Sequence, residues 1–158
     1  MVRFKKAALI DINLYYEWAN DELVRKQSFN SEPINFEDHK KWFTSKIKDT
    51  SCMMLVFKNL NDENIGQIRI QQQEFNNSLI GISIDQNHRG KGFAGVMLEI
   101  ASVEWFSKNP FDTINAYIKI ENTSSKYSFE KAGFNFKENI LYENYLSFHY
   151  IKNKHDNR

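Results

Sequence analysis

The sequence predicts one mixed α/β domain of the α+β kind. A mostly antiparallel central sheet of six to seven strands carries one parallel pair, and about four helices flank it. Three observations lead there. The 158 residues suffice for one core and are too few for two ordinary domains. The middle of the chain holds consecutive strand-like runs joined by turn-like segments, followed by one long helical run and a further strand. Hydrophobic residues make up 41% and aromatics 15%, chiefly 13 Phe and 7 Tyr, which is the bulky apolar content a packed interior needs.

The elements follow in order. "DINLYYEWANDELVRKQ", residues 11–27, spaces Leu14, Trp18, Leu23 and Val24 at near-helical intervals, with Asn20 and Asp21 breaking it into two short helices. "FEDHKKWFTSKIKD", residues 36–49, gathers Phe36, His39, Trp42 or Phe43, and Ile47 on one helical face. "CMMLVFKN" is a continuous apolar run of strand length, and "IGQIRIQQQEF" alternates through Ile65, Ile68 and Ile70. "EFNNSLIGISID" reads as a hairpin turning at Asn76 and Asn77, with Ile80, Ile82 and Ile84 on one face.

From Gly92 to Asn109 the period becomes helical, and "TINAYIKI" is again a strand. A helix between two strands calls for a crossover, so Leu79–Ile84 and "TINAYIKI" run parallel. "TSSKYSFEKAGF" is a short helix that Gly133 ends in a left-handed conformation. "FNFKENILYENYLSFHYIKN" supplies two strands turning near Glu143 and Asn144. Pro33 and Pro110 are the only prolines, and no repeat, low-complexity tract or linker interrupts the chain, so residues 1–158 form a single domain.

Charge narrows the partners. Lys and Arg total 21 against 20 Asp and Glu, a net charge of +1, which gives no field to draw the chain onto nucleic acid or an anionic membrane. Cys52 is alone, so no internal disulfide forms and a reducing compartment is expected. The apolar run Ala7–Ile10 is too short for a signal peptide, and no stretch approaches the ~20 apolar residues that span a bilayer. A cytoplasmic protein, monomer or homodimer, is the resulting expectation.

The chemistry gathers at "NHRGKGFAG". Gly90, Gly92 and Gly95 stand at the glycine positions of G-x-G-x-x-G, the dinucleotide fingerprint. Two features argue against that ligand: the polar spacer "DQNHR" separates Ile84 from Gly90, and the preceding strand belongs to an antiparallel meander. A phosphate loop of the Walker type is excluded because Gly92, not Ser or Thr, follows Lys91. The physics of the loop does not depend on either label. Gly90 and Gly92 let successive backbone N–H groups turn toward one point, the helix beginning near Gly92 adds its orphan N–H groups, and Arg89 and Lys91 add charge. That is a cradle for a pyrophosphate; the plainer reading is a glycine-rich turn with incidental basic residues.

Two motifs together carry a family resemblance. "NHRGKGFA" resembles the acetyl-CoA loop Q/R-x-x-G-x-G/A of the GCN5-related N-acetyltransferases, through Arg89, Gly92 and Ala94. "IKIENTSSKYSFEKAGF" resembles that family's Asn-x-x-Ser segment and the Gly-Phe that follows it, through Asn122, Ser125, Gly133 and Phe134. The resemblance covers nearly the whole chain and implies an acetyl-CoA-dependent N-acetyltransferase with no metal. It further implies a parallel pair that splays to admit the pantetheine arm, and acetyl-CoA held by Ile82, Ile84, Arg89, Gly90, Lys91, Gly92, Phe93, Ala94, Asn122, Ser125 and Phe129. "EWANDELVRKQSFNSEPINFEDHKKWF" resembles the segment of branches acting on nucleotide-linked amino sugars, as in pseudaminic acid synthesis, so such a sugar is the expected acceptor. Related wording occurs in acetylases of protein N-termini, the alternative acceptor; a third alternative is a CoA-binding module without catalysis.

In that family the amine attacks the thioester directly. Polarisation of the carbonyl falls to a backbone N–H on the Ile82–Ile84 strand. The Tyr that often protonates the leaving thiolate is replaced here by Phe129, and Tyr127, about 200° away around the helix, points elsewhere. Glu74, Asp85, His88 and His39 are each candidates for the general base, with Glu74 and His39 preferred.

Overall fold

The computed structural model describes residues 1–156 of the chain. Its strands are β1 (Arg3–Lys6), β2 (Cys52–Lys58), β3 (Asn64–Glu74), β4 (Asn77–Ile84), β5 (Thr113–Lys119), β6 (Asn135–Tyr142) and β7 (Tyr145–Asn153). Its helices are α1 (Ile12–Ala19), α2 (Glu22–Gln27), α3 (Phe36–Lys48), α4 (Phe93–Lys108) and α5 (Thr123–Lys131). The strands form one seven-stranded sheet in the order β1-β2-β3-β4-β5-β7-β6. β4 and β5 run parallel and every other pairing is antiparallel.

The sheet is the middle of three layers. On one face Leu55, Phe57, Ile68 and Ile70 pack against Met97, Leu98, Ala101 and Trp105 of α4 and Phe129 of α5. On the other, Met54 and Val56 pack against Tyr15 and Trp18 of α1 and Phe43 of α3. β2 serves both layers because successive strand side chains point to opposite faces, which is why it reads as an unbroken apolar run rather than an alternation.

The local signals end elements where the sequence predicts. Asp21 caps α2, its side chain accepting from the Val24 N–H at 3.1 Å, and Asn35 caps α3 by accepting from the Asp38 N–H at 2.9 Å. Positive φ appears at Asn76 (56°), Glu143 (48°) and Asn144 (72°) in the two hairpin turns, and at Gly133 (88°) after α5. The Glu143–Asn144 pair, left-handed at both residues, matches the right-handed twist of the strands it joins.

Two differences from the sequence reading stand out. β1 pairs with β2 from Arg3↔Lys58 to Lys6↔Leu55 although "RFKK" shows no strand pattern, because a four-residue edge strand borrows its order from the neighbour's backbone. There are also five α-helices against the about four expected, with the break between α1 and α2 falling at Asn20–Asp21 as the sequence indicates.

What positions the site is the divergence of β4 and β5. They pair only at Asn77↔Thr113, Ser78↔Ile114 and Leu79↔Asn115. Beyond Leu79, β4 stays on β3 as far as Ile84, while β5 stays on β7 as far as Lys119. The closed end is stapled by buried polar groups. Asn115 Nδ2 donates to the Asn77 side chain and to the Ser78 carbonyl, the latter at 3.1 Å. Ser78 Oγ donates to Asp112, and Trp105 Nε1 donates to the same carboxylate at 2.5 Å. His149 Nε2 donates to Asn115 Oδ1 at 2.7 Å. Such bonds are most valuable where water is excluded, so the opening is anchored at a stiff base.

Candidate active site

A cavity of about 820 Å³ occupies the opening between the diverging strands, within the range that takes a small ligand. It has two unlike halves.

The first half is built of backbone. Gly90 and Gly92 take φ of 74° and 80°, and a Cβ on either would meet nothing within 4 Å. Glycine is therefore required for conformation rather than for room. Gly92 caps α4, whose first N–H groups have no partner in the helix and emerge beside Phe93 and Ala94 on the cavity wall. Opposite them, Asn122 caps α5 by accepting from the Ser125 N–H at 3.3 Å. Its carbonyl oxygen is thus used in capping, and its amide NH₂ has no protein acceptor among the described residues. Phe129, buried and edge-to-face on Phe134 at 4.9 Å between centroids, lies behind. His88 is buried on the same wall with Nδ1 lacking a partner. These groups suit an anion at the loop and an amide-bearing arm between the strands.

Arg89 links the two halves. Its Nη2 donates to Asp21 Oδ2 at 2.5 Å, so the loop guanidinium is tied to the residue that caps α2. Burial raises the Asp21 carboxyl's pKa, but the Arg89 hydrogen bond and the Val24 N–H outweigh it and hold the group below its ordinary value.

The second half is built of side chains on β3 and α1–α3. His39 is 2% exposed, and its Nε2 lies 2.9 Å from the Ile12 carbonyl. A carbonyl only accepts, so Nε2 carries the proton and Nδ1 is the basic nitrogen of the neutral ring. Trp18 Nε1 donates to Asp85 Oδ1 at 2.8 Å, fixing α1 to the end of β4. Arg25 organises the segment before α3, donating to the Ala19 carbonyl at 2.6 Å and the Asn30 carbonyl at 2.7 Å. Lys119, buried, donates to the Lys26 carbonyl at 3.0 Å and sits 3.7 Å from the Tyr145 ring centroid. Tyr117 and Tyr142 stack at 3.9 Å. Burial pushes the Tyr15 hydroxyl's pKa well up, and it stays protonated. Asp38 is the one carboxylate on a wall that also carries Arg25, Arg69, Arg89 and Lys119.

Of the predicted residues, Ile82, Ile84, Arg89, Gly90, Gly92, Phe93, Ala94, Asn122, Ser125, Phe129 and His39 line the cavity. Two do not. Glu74 is exposed at the last residue of β3, where it accepts from Asn77 Nδ2 at 3.0 Å beside the hairpin turn; the turn lies at the stapled end, away from the opening. Lys91 is exposed and its side chain stands off the wall, because the turn that aims the backbone inward directs this side chain to solvent. Asp85 is likewise off the wall and occupied by Trp18, and Tyr127 is 61% exposed. Sequence reasoning missed Arg69, Tyr15, Gln67, Tyr117 and Tyr142 on the wall. A usable signal existed for Arg69, since Ile68 and Ile70 on the core face put residue 69 on the opposite face.

The sequence matches the family described as "Acetyltransferase (GNAT) domain" over residues 2–135. The chain belongs to the GNAT acetyltransferase family. At 25% identity over 130 residues it is similar to an uncharacterized protein of Methanocaldococcus jannaschii, matching 78% of this chain and spanning only 26% of that relative's length. Solved structures with the same fold include a spermidine N-acetyltransferase from Vibrio cholerae in complex with CoA and spermine. Its TM-score is 0.82 at 18% identity, over 95% of this chain and 93% of that one. A domain from M. jannaschii gives 0.82 at 22% identity, over 97% and 98% of the two chains. The aminoglycoside acetyltransferase AAC(6')-Ib with coenzyme A and kanamycin gives 0.79 at 18%, over 98% and 95%.

The backbone half of the cavity offers this acetyltransferase domain an anion cradle at Gly90–Gly92 and donors beside the splay. No helix among the described residues is long and apolar enough to cross a membrane, and no group of three or more His, Cys, Asp or Glu side chains there could hold a metal.

Proposed function

We propose that this GNAT domain acetylates the primary amine of a nucleotide-linked amino sugar. The observation that carries the reading is the charge of the wall: with Arg89 set against Asp21, the cations Arg25, Arg69 and Lys119 face one carboxylate, Asp38. A polycationic acceptor needs several carboxylates to replace its lost hydration, whereas a diphosphate-bearing one is drawn to such a wall.

In this reading the pyrophosphate of acetyl-CoA lies on the Gly90 and Gly92 N–H groups, the pantetheine arm passes Asn122, and the thioester carbonyl accepts from a backbone N–H between Ile82 and Ile84. The ammonium of the acceptor first gives one proton to His39 Nδ1. The free amine attacks the carbonyl carbon, the C–S bond breaks, and the second nitrogen proton leaves as the thiolate is protonated. Phe129 has no proton to give, so that step falls to water or a wall tyrosine, and most of the acceleration comes from alignment. The protein is read as cytoplasmic, a monomer or homodimer; unpaired Cys52 supports a reducing compartment.

Thiol release with acetyl-CoA and a panel of nucleotide-linked amino sugars, peptides with free N-termini and polyamines tests this. Preferred release with the sugars is expected. Preference for peptides or polyamines contradicts the acceptor, and no release with any amine leaves a CoA-binding module.

A further inference from the structure

Arg69 lies at the middle of β3, on the sheet face that α1–α3 cover, and lines the acceptor half of the cavity. Its cross-strand partners are Met54, which brings no charge, and Gly81, which brings no side chain. The neighbours on the same face are satisfied: Gln67 Nε2 donates to Ser83 Oγ at 2.9 Å, while Gln71 Nε2 donates to Ser51 Oγ at 3.0 Å and Gln71 Oε1 accepts from Lys46 at 2.6 Å. Arg69 is different. Among the described residues its guanidinium meets the face of Trp42, 5.0 Å from the ring centroid, and no carboxylate or carbonyl receives its N–H groups.

The other cations on the wall are committed. Arg25 holds backbone carbonyls, Arg89 holds Asp21 and Lys119 holds the Lys26 carbonyl. Asp38, the carboxylate on the wall, accepts from Asn35 Nδ2 at 3.0 Å. Burial lowers the Arg69 pKa from its ordinary value, and an arginine so far above neutrality remains charged. A partly buried, charged fork with no anion is unfavourable for the protein alone and favourable once an anion arrives. Its planar donors match phosphate or carboxylate oxygens in pairs.

We infer that Arg69 is the anchor for an anionic group, a phosphate or a carboxylate, carried by the amine acceptor. The inference rests on the reading of this half of the cavity as the acceptor side, and it makes Arg69 a specificity residue rather than a catalytic one.

Matched acceptors that differ in one anionic group test it: ethanolamine against phosphoethanolamine, β-alaninamide against β-alanine, and a free amino sugar against its nucleotide-linked form. The wild type is expected to favour the anionic member of at least one pair by about 10- to 100-fold in kcat/KM. Arg69→Met is expected to abolish that preference while the KM for acetyl-CoA and turnover of the neutral member stay within about twofold, and Arg69→Lys is expected to restore part of it. Response of the phosphate pair alone names a phosphate, and of the carboxylate pair alone a carboxylate. No preference in any pair, or equal losses for both members in Arg69→Met, overturns the anchor. Should Arg69→Met fail to fold, competition of inorganic phosphate or acetate against the neutral and charged acceptors of the wild type reads the same site; competition confined to the charged member supports it and its absence overturns it. If no amine is acetylated at all, the function proposed above fails, and the anchor is then decided by calorimetric titration of inorganic phosphate and of acetate into CoA-saturated wild type and Arg69→Lys. Binding by the wild type that weakens in Arg69→Lys supports it, and no binding to the wild type overturns it.

Discussion

The two halves of the cavity solve the same problem, holding a polar ligand, by different means. On the α4–α5 side the donors are backbone N–H groups aimed by two left-handed glycines and two helix starts. On the α1–α3 side they are side chains fixed by partners outside their own helix: His39 by the Ile12 carbonyl, Trp18 by Asp85, Arg25 by the Ala19 carbonyl and by the Asn30 carbonyl before α3. A backbone site offers the same donors whatever side chains surround it and tolerates few changes of conformation. A side-chain site can change its chemistry without changing the fold; structures sharing this fold at under 25% identity are complexes with molecules as unlike as spermine and kanamycin.

The largest expected effect falls on the side-chain half. His39→Gln should lower kcat by about 100-fold or more, the ordinary contribution of a general base, with the KM for acetyl-CoA unchanged. An unchanged kcat would remove His39 from the chemistry. Gly92→Val should act on the other half. A β-branched residue at φ 80° costs about 1–3 kcal/mol of strain, so the cradle deforms and acetyl-CoA binds about tenfold or more weakly. Tight binding by that variant would mean that the loop backbone is not the cradle.

Asp21→Asn probes the bridge between the halves. Losing a charge-assisted bond should cost about 1–2 kcal/mol of stability and weaken acetyl-CoA a few-fold by loosening Arg89. Because the folded Asp21 carboxyl titrates below its ordinary value, the pair's contribution is fully present above the unfolded pKa and is lost as pH falls through the depressed folded one. Wild type and variant should therefore differ by a constant amount in denaturant melts from pH 6 to 8 and converge only under acid conditions below the depressed folded pKa. The smallest effects are expected from Glu74→Gln and Lys91→Ala, each within about twofold of wild type in kcat/KM, since both side chains are exposed and off the wall.

The same contrast explains what could be read from the sequence. The crossover between β4 and β5, the Gly90–Gly92 loop and the Asn122 cap are local: each is written in a few consecutive residues with a backbone reason for being there. The acceptor half is not local. Arg89 finds Asp21 across 68 positions and Trp18 finds Asp85 across 67, pairings that no spacing rule reveals. Glu74 is a candidate base in the sequence, but which end of the sheet opens depends on where β4 and β5 stop pairing, and only the register at Leu79↔Asn115 decides that. β1 escaped notice because four edge residues carry too little pattern. Arg69 escaped because a charge within a strand reads as solvent-facing until α3 is seen to cover it.

The division of labour is tested most directly by calorimetric titration of acetyl-CoA into wild type, Gly92→Val and Arg69→Met. The account predicts a Kd raised about tenfold or more by Gly92→Val and left within about twofold by Arg69→Met. Equal weakening by both, or weakening by Arg69→Met alone, would contradict it.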